Sequence, residues 1–176
     1  MAIAPGTYTL GPETGELLVH TRRQGAAAKA GHDLEMIVTG WKATLEIGEA
    51  SSLTLTADST SLRVREGHGG MKPLDEDDRE NIRQTIDDEV LKRTPIMFRS
   101  REVESNGDLM RVSGELELGG RTHALTFELE TDQNRIAGRA SVKQSDWGMK
   151  PYTALFGALK VADEVEITVD AGLQSR

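Results

Sequence analysis

The sequence predicts an all-β fold, an antiparallel sandwich or barrel with one helix. Residues 102–130 alternate apolar and polar side chains with a period of two, which is typical of strands with one buried face. Asn106 with Gly107, and Gly119 with Gly120, predict tight type I′ hairpin turns. The apolar positions change parity at Gly40 and again between residues 57 and 62, which predicts bent strands. Bent strands favour a barrel over a flat sheet.

About eight strands are expected along the chain, in keeping with a small barrel. Most show the alternation of apolar and polar residues that a half-buried strand needs. Two of the expected strands, residues 34–47 and 53–64, are long and contain the changes in apolar parity. The expected strands cover residues 6–10, 16–23, 34–47, 53–64, 96–104, 109–118, 122–130, 136–143 and 164–171.

One helix is predicted over residues 75–91. Asp75 is a suitable N-cap, and the acidic residues after it suit the positive end of the helix dipole. Ile82, Ile86 and Val90 recur every four residues and form a narrow apolar stripe. We therefore expect the helix to lie against a barrel wall or to close one end.

Residues 144–162 are apolar and aromatic but have neither a strand nor a helix period. They form either plain core beneath a loop or a lid over a barrel mouth that contacts an apolar ligand. In the second case Lys150 and Tyr152 would contact the ligand's polar end. Tyr152, with Trp147 and Phe156, also offers a surface patch through which a homodimer could form.

Composition excludes several functions. The 176 residues carry a net charge of −8 and contain no cysteine, which argues against nucleic-acid binding, disulfides and thiolate chemistry. The uniform character of the chain predicts one domain over residues 1–176. The first residues lack the features of a signal peptide, and no apolar run is long enough for a membrane span. We therefore expect a cytoplasmic protein without stable membrane insertion.

The histidines do not show the spacing of a metal site, so no metal is expected. His123 shares the inward parity of its strand, and it lies either near a cavity mouth or in solvent at the strand end. His32 and Asp33 are adjacent, but neighbouring strand residues point to opposite faces, which favours a loop over a catalytic pair. The glycine-rich residues 67–70 fit no phosphate-binding pattern and predict a flexible link.

Four blocks of sequence resemble the YceI-like polyisoprenoid-binding family. The blocks are TPIMFRSREVE at 94–104, GELELGGRTHALTFELE at 114–130, SDWGMK at 145–150 and KVADEVEITVDAGL at 160–173. They occur in the family's order, and the resemblance extends to the Gly-Thr-Tyr at residues 6–8. It implies a lipocalin-like antiparallel barrel whose apolar interior holds a polyisoprenoid chain. Such a chain is the tail of an isoprenoid quinone or a polyprenyl phosphate.

This resemblance makes a non-enzymatic carrier or store of a long-chain isoprenoid or fatty amphiphile the leading hypothesis. The lipid or quinone would be a ligand, and neither catalytic residues nor a resident cofactor is expected. The expected ligand contacts are inward-facing strand residues together with residues of 144–162. They are Val19, Met36, Val38, Leu55, Phe98, Val112, Leu116, His123, Leu125, Phe127, Val142, Trp147, Lys150, Tyr152, Phe156 and Ile167.

Two other hypotheses belong to different classes. An isomerase or hydrolase built on the barrel would need at least two of His32, Asp33, His123 and Asp146 to converge inside the cavity. A stress-related interaction module would have a barrel filled by its own side chains. The shape and lining of the interior distinguish the three.

Overall fold

The protein is an antiparallel sheet strongly curled into a barrel, as seen in a computed structural model that describes residues 2–154 and 157–175. The strands are β1 (Gly6–Leu10), β2 (Gly15–Thr21), β3 (Arg23–Gln24), β4 (Asp33–Val38), β5 (Trp41–Ile47), β6 (Ser52–Ala57), β7 (Leu62–His68), β8 (Ile96–Asn106), β9 (Leu109–Leu118), β10 (Arg121–Asp132), β11 (Arg135–Lys143), β12 (Thr153–Ala154), β13 (Leu159–Val161), β14 (Glu164–Gly172) and β15 (Gln174–Ser175). Twelve strands form the main sheet in the order β15-β1-β5-β6-β8-β9-β10-β11-β14-β2-β4-β7, and β12-β13-β3 form a small second sheet.

The hairpin from β4 to β7 brings the two ends of the main sheet together. At the bend, the Thr39 N–H donates to the Ser61 carbonyl at 2.9 Å, and the Asp58 N–H donates to the Gly40 carbonyl at 2.8 Å. Pairing therefore continues from β4 into β5 and from β6 into β7, so each pair is one bent strand. Because β4 pairs with β2 while β5 pairs with β1, this hairpin curls the sheet onto itself.

The predicted bends are confirmed, and together with the short strands β3, β12, β13 and β15 they explain why the strand count exceeds about eight. Each bend interrupts the regular ladder and divides one long strand into two shorter ones. The apolar parity changes with the bend: Met36 and Val38 are buried before it, and Trp41 and Ala43 are buried after it. The bend therefore keeps apolar side chains inside the barrel along the whole strand.

The two tight hairpins differ in their turns. Gly119 and Gly120 both have positive φ, 59° and 80°, as the predicted type I′ turn requires. The other loop consists of Gly107 and Asp108, because Asn106 still pairs with Leu109. Of these two loop residues only Gly107 has positive φ. The type I′ prediction centred on Asn106 is therefore wrong by one residue.

The predicted helix is confirmed as α1 (Glu76–Thr85), which continues into a π-helical turn, Ile86–Val90. The Asp78 N–H donates to Asp75 Oδ1 at 2.8 Å, and the Asp75 N–H donates to Asp78 Oδ2 at 3.1 Å. This reciprocal pair is a capping box that satisfies two backbone donors at the helix start. At the other end the Leu91 N–H donates to the Ile86 carbonyl at 2.8 Å, the i to i+5 bond of a π-turn.

The segment 144–162 contains more regular structure than its sequence predicts. It begins with a 3₁₀ turn, Gln144–Trp147, and continues into β12 and β13. Strand β13 pairs with β3, which places this small sheet beside the end of the barrel where β2 stops and β4 starts. Within residues 2–154 and 157–175, no helix is long and apolar enough to cross a membrane.

Candidate functional site

The barrel encloses a cavity of about 850 Å³. Ligand pockets usually have volumes of roughly 300–1,000 Å³. The interior is therefore not filled by its own side chains, and the filled-barrel hypothesis is wrong on this point. The wall is mainly aliphatic, with contributions from the strands and from the helical stripe predicted above, namely Leu10, Leu17, Leu34, Leu53, Leu62, Ile82, Ile86, Val90, Ile96, Leu118, Leu129, Ile136, Val165 and Val169.

Most of the expected contact residues lie on the cavity wall. Those that line it are Val19, Met36, Val38, Leu55, Phe98, Leu116, Leu125, Phe127, Val142, Tyr152 and Ile167. Several of these side chains are only half-buried although they point inward, because they border the empty space. Phe156 lies outside the described residues.

Four expected contacts do not line the cavity. Val112 is completely buried within the packed core, so no ligand can touch it. Trp147 is 2% exposed and its indole N–H donates to the Leu116 carbonyl at 2.7 Å, which makes it a core residue. His123 is exposed with its ring 5.0 Å from that of Trp147, so the solvent alternative holds for it. Lys150 is exposed and also lies away from the cavity wall.

The same observations give little support to the dimer patch that the sequence predicts from Trp147, Tyr152 and Phe156. Trp147 is buried and Phe156 is not described, so Tyr152, at 41% exposure, remains from that patch. A homodimer stays a prediction.

Two phenylalanines from different strands form the aromatic part of the wall. Phe98 on β8 and Phe127 on β10 have ring centroids 5.3 Å apart and an interplanar angle of 58°. Such tilted pairs are a favourable aromatic geometry. Because β9 lies between their strands, the pair spans three strands of the wall and presents only apolar atoms from its side chains.

The mouth of the cavity is covered by the small sheet. All three residues of β13 line the cavity, namely Leu159, Lys160 and Val161, and Lys160 is also exposed to solvent. The segment 144–162 therefore forms a lid in part, as one of its two predicted alternatives required, and Tyr152 stands at its edge.

The lid is tied to the barrel at Asp163. The Asp163 carbonyl accepts the Gln144 N–H at 2.9 Å, and its carboxylate accepts both the hydroxyl and the N–H of Ser145. The hydroxyl bond is the main reason that the pKa of Asp163 is lowered from its ordinary value, with the Ser145 N–H and the charge of Lys143 acting in the same direction.

Two short segments to which the sequence assigns no function meet at this mouth, namely residues 31–33 and the glycine-rich residues 67–70. Asp33 pairs with His68 across β4 and β7, which brings Gly31 and His32 beside the glycine-rich loop after β7. Arg23 bridges the motifs: its Nη1 donates to the Gly31 carbonyl at 2.7 Å and to the His68 carbonyl at 3.2 Å. Both Arg23 and His32 line the cavity.

The glycines of this loop allow close packing against neighbouring side chains, and the flexibility expected of the loop stays a prediction. Gly69 and Gly70 have φ of 78° and 76°. A Cβ on Gly69 would lie 1.8 Å from Arg23 Nη1, and one on Gly70 would lie 2.3 Å from His32 Nε2. The ring nitrogen Nε2 of His32 is also hydrogen-bonded to the Lys72 carbonyl at 2.7 Å. The loop is thus packed directly onto two polar side chains of the mouth.

The arrangement does not provide the constellation that the enzyme hypothesis needs. Of the four residues named for it, His32 alone lines the cavity, whereas Asp33, His123 and Asp146 do not. Among residues 2–154 and 157–175, no three histidine or carboxylate side chains are grouped so that they could hold a metal ion.

Sequence reasoning missed Arg23 and the helical residues as parts of this site. The period of the helical stripe predicts packing against a barrel wall or over one end, but it does not show that the stripe borders a cavity. Arg23 lies in a two-residue strand, which is too short to show a period.

Comparison with known proteins gives a consistent picture. The family profile described as YceI-like domain matches residues 8–173. The fold resembles that of Burkholderia cenocepacia BcnA, with a TM-score of 0.66 and 15% identity over 92% of this chain and 96% of that one. It also resembles the Campylobacter jejuni YCEI protein, with a TM-score of 0.59 and 12% identity over 81% of this chain and 86% of that one. No curated protein shows significant sequence similarity to the chain.

Proposed function

The chain belongs to the YceI-like family, and we propose that it binds a long-chain isoprenoid or similar amphiphile inside the barrel, as a carrier or store. The observation that carries this proposal is the aliphatic cavity of about 850 Å³. The resemblance to polyisoprenoid-binding proteins supports the choice of an isoprenoid tail, such as that of an isoprenoid quinone or a polyprenyl phosphate.

The free energy of binding would come from transfer of the tail out of water. Each methylene moved from water into an apolar site contributes about 0.8 kcal/mol. The tail would cover the half-buried side chains that border the cavity, among them Val19, Leu125 and Phe127. Such burial needs no directional contacts along the tail, which suits a mainly aliphatic wall.

A polyprenyl probe with a fluorescent group tests the proposal through a matched pair of variants on β10. Phe127→Asp places a charge on the apolar wall and is expected to abolish probe binding, because a buried unpaired charge is strongly unfavourable. Glu128→Ala, on the neighbouring exposed position, is expected to leave the affinity unchanged. Circular dichroism checks that both variants fold.

Equal probe affinity in the two variants would contradict the proposal. If Phe127→Asp fails to fold, Ala140→Phe replaces it. Ala140 lines the cavity, and the larger side chain is expected to occupy space that the tail needs.

A further inference from the structure

The mouth of the cavity carries polar groups that binding of an apolar tail does not explain. Arg23 projects from β3 with two of its contacts made to backbone carbonyls, so its guanidinium is held in one place. The Val161 N–H donates to the Tyr152 carbonyl at 3.0 Å, and Val161 pairs with Arg23 across β13 and β3. Arg23 and Tyr152 therefore flank Val161 from opposite sides of β13, about two strand spacings, roughly 10 Å, apart.

Several donors at this mouth remain free. Among residues 2–154 and 157–175, Arg23 Nη2 has no hydrogen-bond partner, and the Lys72 ammonium forms no ion pair. The Tyr152 hydroxyl likewise makes no hydrogen bond within this part of the chain, and its side chain is 41% exposed. All three residues line the same cavity.

Two carboxylates near the mouth, Asp33 and Asp78, already accept hydrogen bonds from the protein. Asp33 Oδ1 accepts the Arg23 backbone N–H at 2.9 Å and lies 3.9 Å from Arg23 Nε. Asp78 is part of the capping box of α1. The mouth therefore has unoccupied donors, while each of these two carboxylates already accepts one hydrogen bond from the fold.

From this arrangement we infer that the mouth binds an oxyanion head group, a phosphate or a carboxylate, with Arg23 as the principal donor and Lys72 and Tyr152 as supporting donors. The inference rests on the proposed function, since it concerns the polar end of the amphiphile whose tail occupies the barrel. A guanidinium binds phosphate or carboxylate oxygens with charge-assisted hydrogen bonds, and its planar shape fixes their orientation. The packed glycine loop keeps this guanidinium in place.

The head-group site differs from the one that the sequence predicts. Lys150 and His123 stand outside the cavity wall, whereas Arg23 and Lys72 stand on it. Tyr152 is a head-group residue both in the prediction from sequence and in this inference.

The test compares three ligands by titration of the full-length protein: geranylgeranyl phosphate, geranylgeraniol and palmitate. Arg23→Gln is expected to weaken binding of geranylgeranyl phosphate about tenfold or more, because it removes a hydrogen bond to a charged group. Geranylgeraniol has the same tail without the charge and is expected to bind Arg23→Gln as it binds the wild type. The palmitate titration tells whether a carboxylate is recognised in the same way as a phosphate.

The neighbouring arginine is the matched control. Arg22 is exposed and does not line the cavity, so Arg22→Gln removes the same charge one residue away and is expected to change none of the affinities. Because Arg23 also bonds two backbone carbonyls, Lys72→Gln serves as a second variant that leaves those bonds intact. It is expected to weaken the oxyanion ligands by about threefold, the effect of an exposed ion pair.

The outcomes separate the two proposals. A loss of affinity for geranylgeranyl phosphate or palmitate, with geranylgeraniol unchanged, in Arg23→Gln or Lys72→Gln supports the head-group site. If the wild type binds all three ligands and neither variant discriminates among them, the head-group inference is overturned while tail binding stands. If the wild type binds none of the three, the proposed function itself fails.

Discussion

The two ends of the barrel follow the same alternation of side chains but have different interiors. At the closed end, Leu45, Met110 and Ala171 point inward and are almost fully buried by their neighbours. Towards the mouth, Leu125 and Phe127 also point inward, yet they are half-buried because they border the cavity. Parity therefore determines which side chains face the interior, and packing determines whether that interior is solid or open.

This difference assigns separate roles to the two regions. The closed end contributes apolar burial to the free energy of folding, since its side chains have lost nearly all contact with water. The wall near the mouth retains apolar surface that a ligand can cover. Substitutions of the same kind should therefore have unlike effects at the two ends.

The largest difference is expected for a pair of leucines. Leu45 is 0% exposed, so Leu45→Ala is expected to lower the free energy of unfolding by about 2–5 kcal/mol through lost burial and a new void. Leu125→Ala only enlarges an existing cavity and is expected to cost less, about 1 kcal/mol. Urea unfolding measures both, and equal losses would contradict the distinction between the two ends.

Replacing one alanine in each region with phenylalanine gives the complementary comparison, between overpacking a solid core and filling a cavity. Ala171→Phe introduces a ring where a neighbour, Gly15, is already so close that a Cβ there would lie 2.5 Å from the Ala171 Cβ. Overpacking of this kind costs about 1–3 kcal/mol. Ala140→Phe projects into the cavity and is expected to leave the free energy of unfolding nearly unchanged. A similar destabilisation in both variants would mean that the cavity is not open.

A substitution at the start of α1 is expected to destabilise the helix at the mouth without affecting the closed end. Asp75→Ala removes the capping box of α1, which is expected to cost the helix about 1 kcal/mol. Amide hydrogen exchange should accelerate in α1, while the amides of β9 and β10 near Met110 and Leu129 keep their protection. Uniform acceleration across the chain would show that the helix and the closed end unfold together.

The smallest effect concerns the attachment of the lid and depends on pH. Because the pKa of Asp163 is lower in the folded than in the unfolded state, its carboxylate contributes stability above the unfolded value, about 3.9, and loses it as the pH falls through the folded value. The wild type should therefore be more stable than Asp163→Asn at neutral pH, and this advantage should shrink below about pH 4. An advantage that stays constant down to pH 2 would contradict this assignment.

The same contrast shows what sequence could predict. Strand positions, the bends and the Asp75 cap follow from local periodicity and local hydrogen bonding, and the structure confirms them. The inward parity of Val112 and Phe127 is equally clear, but one is packed solid and the other borders the cavity. That distinction depends on how distant strands fit together, which a period of two does not contain.

The mouth was harder to predict because its parts are short and far apart in sequence. Strand β13 has three residues and shows no period, and Arg23 joins motifs near residues 31 and 68 only after β4 pairs with β7. Of the two head-group residues predicted from the lid, Tyr152 lines the cavity and Lys150 does not, and His123 on the neighbouring strand does not line it either. The residue types of Lys150 and His123 suited the chemistry, but sequence proximity to the lid did not place them on the cavity wall.

Mass spectrometry of organic extracts tests most directly whether the cavity holds a long apolar chain. The measurement compares purified wild-type protein with Ala140→Phe, whose new side chain occupies part of the cavity while the fold is expected to persist. The wild type should release a long-chain isoprenoid or related amphiphile in an amount close to one per protein, and Ala140→Phe should release much less. Equal amounts of lipid from both proteins, or none from wild-type protein that also fails to bind a polyprenyl probe, would contradict the account.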